Sequence, residues 1–216
     1  MKEFWNQRYS ESGYAYGSEP NEFFKESLLT HLDQLLPHQP KLLMPAEGEG
    51  RNAVYAAGLG FEVTAFDVSE QARVKAMQLA NKKSIPPSSL NYHIGDCLSL
   101  DEPDESFDGV GLIYAHFPPV LKAQYYPKIV SLLRPGGWVM LEGFSENNLP
   151  YREANPKVGG PADPALLFTK DGVAEDFKGF NILSLEEQEV SLNEGRYHVG
   201  TAMVIRLIAQ KSIEAA

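Results

Sequence analysis

The sequence predicts an α/β fold: one doubly wound, mostly parallel sheet of seven strands, with an antiparallel edge hairpin and helices on both faces. Three observations predict it. Hydrophobic periodicity flips in alternation between two and three-to-four residues, the mark of strands separated by helices. A loop holding Gly48 and Gly50 follows the first apolar run, as at a ligand-bearing strand end. The last two β-like segments are joined only through NEGRYH, with no helix between them, so they pair as a hairpin.

Ser27 to Leu36 spaces its leucines on one helical face, and Lys41 to Met44 is a short buried strand. Asn52 to Gly60 is alanine-rich and stops at glycine, as a short helix does. Phe61 to Asp67 alternates as a second strand. Ser69 to Lys83 opens with a serine N-cap and is helical. Leu90 to Ile94 and Phe107 to Ala115 are the third and fourth strands. Pro118 to Gly137 starts on proline and stops at Pro-Gly-Gly, as a helix does, and internal Pro127 is expected to kink or split it. Trp138 to Phe144 is the fifth strand, and Asn181 to Leu192 with Thr201 to Gln210 make the hairpin.

The 216 residues suit a single domain, with residues 1–36 as an N-terminal helical cover and 145–164 as a long insertion. A net charge of −10 argues against a nucleic-acid surface, which needs clustered Lys and Arg. The single cysteine, Cys97, excludes an intrachain disulfide and a cysteine-built zinc site. No metal-ligand run occurs. The first residues lack the apolar core of a signal peptide and no apolar run reaches ~18 residues, so the expectation is a cytoplasmic protein off the membrane, monomeric or homodimeric. His31 and His38 read as surface residues.

The first strand end carries Ala46-Glu47-Gly48-Glu49-Gly50, with Arg51 available to pair with an acid. Its glycines permit close approach of a ligand to the backbone. Asp67, closing the second strand, is placed for a ribose diol, and Asp96, after the third, for an exocyclic amine such as adenine's. The loop is not GxGxxG. A pyrophosphate beside Glu47 would meet a like charge, a repulsion of about 4 kcal/mol at an effective dielectric of ~20. A nucleoside bearing positive charge gains instead, and S-adenosylmethionine, with its ammonium and sulfonium, is such a ligand. Cys97 reads as a small packing residue whose backbone N–H faces the adenine.

Taken in order, WNQRY, YGSEPNEFF, AEGEGRNAV, FEVTAFDVS, GDC and LLRPGGWVMLEGF resemble the class I S-adenosylmethionine-dependent methyltransferases, with their Rossmann-like sheet. The resemblance is nearest the branch of tellurite-resistance and thiopurine-methyltransferase-like proteins. The family's loop carries an acid two residues before its first glycine. Here Met44 and Ala46 stand in that region, and Glu47 supplies the carboxylate from a shifted position. The resemblance implies cofactor contacts from Tyr16, Asn21, Ala46, Glu47, Gly48, Gly50, Asp67, Val68, Asp96, Cys97 and Tyr114. It places His116 near the methyl group as the one candidate catalytic base, although a structural role suits that histidine better. Tyr151 and His198 are candidate substrate contacts, with the insertion forming the acceptor pocket.

The implied activity is methyl transfer to a small molecule, such as a thiol or metalloid oxyanion. A sulfonium methyl is already activated, so alignment matters more than proton removal. A cofactor-binding sensor without turnover and an NAD-dependent oxidoreductase are the alternatives. The acidic loop argues against the latter.

Overall fold

The computed structural model describes residues 1–35 and 39–213. Leu36 and His38 lie outside the described residues. Strands β1 (Lys41–Pro45), β2 (Glu62–Asp67), β3 (Leu90–Ile94), β4 (Phe107–Ile113), β5 (Leu133–Phe144), β6 (Phe180–Glu194) and β7 (His198–Lys211) form one sheet in the order β3-β2-β1-β4-β5-β7-β6. β1 to β5 pair in parallel, whereas β7 is antiparallel to both β5 and β6. The edge hairpin is therefore present, and its reversed strand is β7, folded inward, with β6 outermost.

Helices α1 (Lys2–Ser10), α2 (Glu22–Leu35), α3 (Arg51–Gly58), α4 (Glu70–Lys82), α5 (Pro119–Leu132), α6 (Leu149–Ala154) and α7 (Lys170–Asp176) surround the sheet. Strand alternation sends successive side chains to opposite faces. Leu42 and Met44 join Phe24, Leu28, Val54 and Leu79 in one core, beneath α2, α3 and α4. Leu43, Val139 and Leu141 join Tyr125, Ile129, Val173 and Phe177 in the other, beneath α5 and α7. Each such large apolar side chain contributes about 1.5–3 kcal/mol when fully buried.

Ser69 caps α4 as expected, its hydroxyl accepting from Ala72 N at 3.1 Å. Three local expectations are corrected. α5 runs unbroken through Pro127, because Tyr125, Tyr126, Ile129 and Leu132 are buried against the sheet and outweigh an interior proline's cost of about 3 kcal/mol. The Pro-Gly-Gly stop lies inside β5: Leu133 already pairs with Phe107, and Arg134 to Gly137 bulge out before Trp138 pairs with Gly109. His31 is half-buried rather than exposed, stacked on Trp138 with ring centroids 4.2 Å apart.

The direction of β7 decides what reaches the functional end of the sheet. Phe144 at the end of β5 pairs with Val204, so His198 to Met203 project beyond the parallel strand ends. Their partners Glu189 to Glu194 project with them. The hairpin tip then meets the N-terminal segment: Arg196 N donates to Ala15 O at 2.8 Å, and the Tyr197 hydroxyl reaches Glu11 at 3.0 Å.

Candidate active site

A cavity of about 850 Å³ lies over the carboxyl ends of β1, β2, β3 and β4, within the ~300–1,000 Å³ range of small-molecule sites. One end is lined by Ala46, Glu47, Gly48, Asp67, Val68 and Asp96. The other is lined by Tyr16, Tyr114, His116, Phe144 and His198, with Pro156 and Gly159 to Ala162 of the insertion. Two non-glycine residues there adopt left-handed backbone, Ala46 at φ 52° and Tyr114 at φ 54°, as strained positions at working sites do.

The loop glutamates differ in role. Glu47 is buried, and its Oε1 accepts from Asn52 N at 2.9 Å and Ala53 N at 2.8 Å, capping the first turn of α3. Burial raises its carboxyl to about 7 against the lowering effect of those bonds. Glu49 points away from the helix. It accepts from Ala15 N at 2.6 Å and pairs with Lys75 Nζ at 2.7 Å, fixing the N-terminal cover. In a dinucleotide site the amides at this helix start hold the pyrophosphate. Here a carboxylate already occupies them.

Asp67 lines the cavity with Oδ1 accepting from Ser69 N at 2.9 Å and Oδ2 from Gly48 N at 3.1 Å. Each oxygen keeps a second lone pair for a ligand hydroxyl. Burial lifts its carboxyl to about 6. Asp96 accepts from Leu98 N and from the Tyr125 hydroxyl, both at 3.0 Å.

Four predicted site residues stand off the cavity wall. Gly50 is needed for a protein contact: a Cβ there would lie 2.5 Å from Ala76 Cβ of α4. Asn21 is buried in a polar cluster, donating to Glu142 at 2.6 Å and to Glu194 at 3.0 Å, while its Oδ1 caps α2 through Phe24 N at 3.0 Å. Cys97 is fully buried among apolar side chains, and burial pushes its thiol up to about 12. Tyr151 turns to β6, its hydroxyl donating to Glu189 at 2.7 Å.

His116 reaches the cavity with both ring nitrogens engaged. Phe144 N–H donates to Nε2 at 3.1 Å, which makes Nε2 the acceptor and leaves Nδ1–H to donate to Leu166 O at 2.7 Å. Burial lowers its pKa to about 4. The ring fastens the ends of β4 and β5 to the Pro164–Leu166 turn that follows the insertion and has no lone pair left for a substrate. His198 is different. Its Nδ1 is 3.0 Å from Glu194 Oε2, and the same oxygen accepts from Arg51 Nη2 at 2.9 Å. Nε2 has no partner among the described residues.

The sequence reading missed the wall supplied by α1, namely Phe4, Trp5, Arg8 and Tyr9. Its signal was present: Phe4 with Arg8, and Trp5 with Tyr9, are i,i+4 pairs. Trp5 stacks on Tyr9 at 5.4 Å, and the Arg8 guanidinium lies 3.8 Å over the Tyr197 ring.

This sheet order, with a carboxylate-capped loop after β1 and an aspartate closing β2, defines a Rossmann-like S-adenosylmethionine-dependent methyltransferase. The family model for a methyltransferase domain matches residues 43–137. An uncharacterized methyltransferase of Schizosaccharomyces pombe is 35% identical over 101 residues, which are 45% of this chain and 67% of that protein. A sterol 24-C-methyltransferase of Clavispora lusitaniae is 36% identical over 88 residues, which are 38% of this chain and only 23% of that protein. A solved SAM-dependent methyltransferase of Methanosarcina mazei shares the fold, with a TM-score of 0.63 at 19% identity, over 85% of this chain and 97% of that one. The chain belongs to the methyltransferase family. No helix among the described residues is long and apolar enough to cross a membrane.

Proposed function

We propose that the protein transfers the methyl group of S-adenosylmethionine to a small-molecule acceptor by in-line displacement. The observation that carries this reading is the pairing of an α3 start closed by Glu47 with a cavity-lining Asp67. Such a donor set refuses a pyrophosphate and suits a nucleoside with a cationic tail. When bound, S-adenosylmethionine supplies an electrophilic methyl carbon on sulfur. In this reading Asp67 accepts from the ribose hydroxyls and Asp96 from the adenine amine. Glu47 and the Ala46 to Gly48 backbone hold the amino-acid tail, and residues 145–164 wall the acceptor. A cytoplasmic monomer or homodimer without a nucleic-acid partner remains the reading of the charge and cysteine content.

The test is calorimetric titration. S-adenosylhomocysteine is expected to bind in the micromolar range, roughly 7–9 kcal/mol, and NAD not measurably. Affinity is also expected to rise with pH through about 6 and about 7, because Asp67 and Glu47 must lose their protons to accept from hydroxyls and face an ammonium. NAD binding without a response to S-adenosylhomocysteine would end this reading, and a pH-independent isotherm would remove the two carboxylates from it.

A soft acceptor, thiol or metalloid oxyanion, accords with the N-terminal and loop motifs of the tellurite-resistance and thiopurine branch and needs no base. Under it, His116→Asn lowers turnover less than a hundredfold, since a general base contributes about 10²–10⁴-fold and this ring has no free nitrogen. The pH–rate profiles of the wild type and the variant decide. An acidic limb erased in His116→Asn, with a loss above ~10³-fold, would make His116 the base. A second reading, an acceptor with a weakly acidic O–H, is favoured by the geometry around His198.

A further inference from the structure

We infer that His198 is the general base of this site, positioned by Glu194, and that the acceptor is a small aromatic molecule carrying a weakly acidic hydroxyl. The inference rests on the methyl-transfer reading above and names the acceptor class within it.

The geometry is that of a carboxylate–imidazole pair aimed at a cavity. Glu194, at the end of β6, and His198, at the start of β7, face each other across the hairpin turn as register partners. Glu194 Oε2 is 3.0 Å from His198 Nδ1 and is held on its other side by Arg51 of α3 at 2.9 Å. Its Oε1 accepts from Asn21 Nδ2 at 3.0 Å. A carboxylate fixed by two other donors accepts from Nδ1–H, and the tautomer that leaves carries its lone pair on Nε2. That nitrogen is without a partner among the described residues, on a ring that lines the cavity. Hydrogen bonds and the Arg51 charge hold Glu194 at about 2, so it is anionic at any working pH. Burial lowers the His198 pKa, so its imidazole is neutral and ready to accept at neutral pH.

The surroundings describe the acceptor. The His198 ring lies 4.5 Å from Tyr16, 4.4 Å from Tyr114 and 5.2 Å from Phe144, centroid to centroid. Pro156 and the Gly159 to Ala162 stretch continue this wall, and Arg152 of the same insertion lines the cavity with them. The rings of Tyr16, Tyr114 and Phe144 beside the imidazole suit a flat aromatic body. The charged or titratable groups around the imidazole are Glu194, Arg51, Arg8 from α1, Tyr16 and Tyr114, with His116 beyond. Only the carboxylate raises its basicity; the two guanidinium groups oppose it.

The step balances as a displacement. Nε2 takes the hydroxyl proton while the acceptor oxygen's electron pair forms the bond to the methyl carbon. The carbon–sulfur bond breaks with its pair left on sulfur, and the imidazolium returns its proton to solvent. His198 is the catalytic residue here, and Glu194 is a positioning residue that acts through it.

The test compares phenol with thiophenol as acceptors, using S-adenosylmethionine with wild type, His198→Asn and Glu194→Gln. Thiophenol is largely ionised near neutral pH and needs no base; phenol is not. With phenol, kcat of His198→Asn is expected to fall about 10²–10⁴-fold while thiophenol loses little. The wild-type rate on phenol falls as pH drops through a value below ~6.5. In Glu194→Gln that limb moves to lower pH with a reduced kcat, because the lost carboxylate no longer raises the imidazole's basicity. A merely structural role moves neither the limb nor the phenol-to-thiophenol ratio. Independently of turnover, the ¹⁵N spectrum of His198 in the S-adenosylhomocysteine complex should show the proton on Nδ1. Equal losses with both acceptors, methylation of thiophenol but never phenol, or an Nε2–H tautomer overturns the assignment while leaving the transferase reading intact. Binding of S-adenosylhomocysteine with no methylation of either acceptor overturns this assignment alone, whereas absence of that binding overturns the transferase reading and this assignment with it.

Discussion

Asp67→Ala is expected to weaken S-adenosylhomocysteine binding ten- to a hundredfold. A hydrogen bond to a charged group contributes about 1.5–3 kcal/mol, and the ribose diol would lose its acceptor. The residue also works within the protein: its two oxygens accept from Ser69 N and Gly48 N, both buried. Alanine leaves those amides without a partner, so the melting temperature should fall together with affinity. Asp67→Asn separates the two effects, because an amide oxygen can keep one of the internal bonds while the charge is gone. Calorimetry and thermal melting of both variants provide the check. An unchanged isotherm in Asp67→Ala would show that the ribose is held elsewhere.

Gly50→Ala should act on stability first. Gly50 has φ 86°, and a Cβ would lie 2.5 Å from Ala76 Cβ and 2.9 Å from Ala76 Cα. Left-handed backbone costs a non-glycine residue about 1–2 kcal/mol, and overpacking about 1–3 more. The sum of about 2–5 kcal/mol corresponds to a melting temperature lower by roughly 4–20 °C in a domain of this size. Gly48→Ala is the control. Its Cβ would meet the Tyr9 hydroxyl at 2.7 Å, the far end of a side chain that can shift, and Gly48 does line the cavity. Gly50→Ala should therefore lower the melting temperature more than Gly48→Ala. A stable Gly50→Ala protein with lost affinity would return Gly50 to the ligand.

The two glycines look alike in sequence because each ends up with positive φ in one loop. What separates them is Ala76, on a helix that the loop does not touch until the sheet is assembled. The same holds for the two histidines. The sequence offered His116 as a candidate base after a strand end while favouring a structural role for it, and the structure engages both its nitrogens, with Phe144 N and Leu166 O. His198 was legible only as a candidate substrate contact before an edge strand; its pairing with Glu194 was not.

By itself the sequence determined the seven strands, most of the helices and the carboxylate-bearing end of the cavity. Those follow from side-chain periodicity, caps and turn residues, which act over a few positions, and from the rule that parallel strands present their carboxyl ends together. Asp67, Asp96 and the Ala46 to Gly48 loop were legible on those grounds. Only the tertiary structure decided the opposite end, around Tyr114 and His198. Arg51 and Glu194 meet across 143 positions, and Asn21 and Glu142 across 121. Those meetings depend on the inward fold of β7 beyond β5 and on its contact with the N-terminal cover. No local pattern encodes which buried acid will claim which amide or guanidinium, because desolvation makes that choice only once the elements close around it.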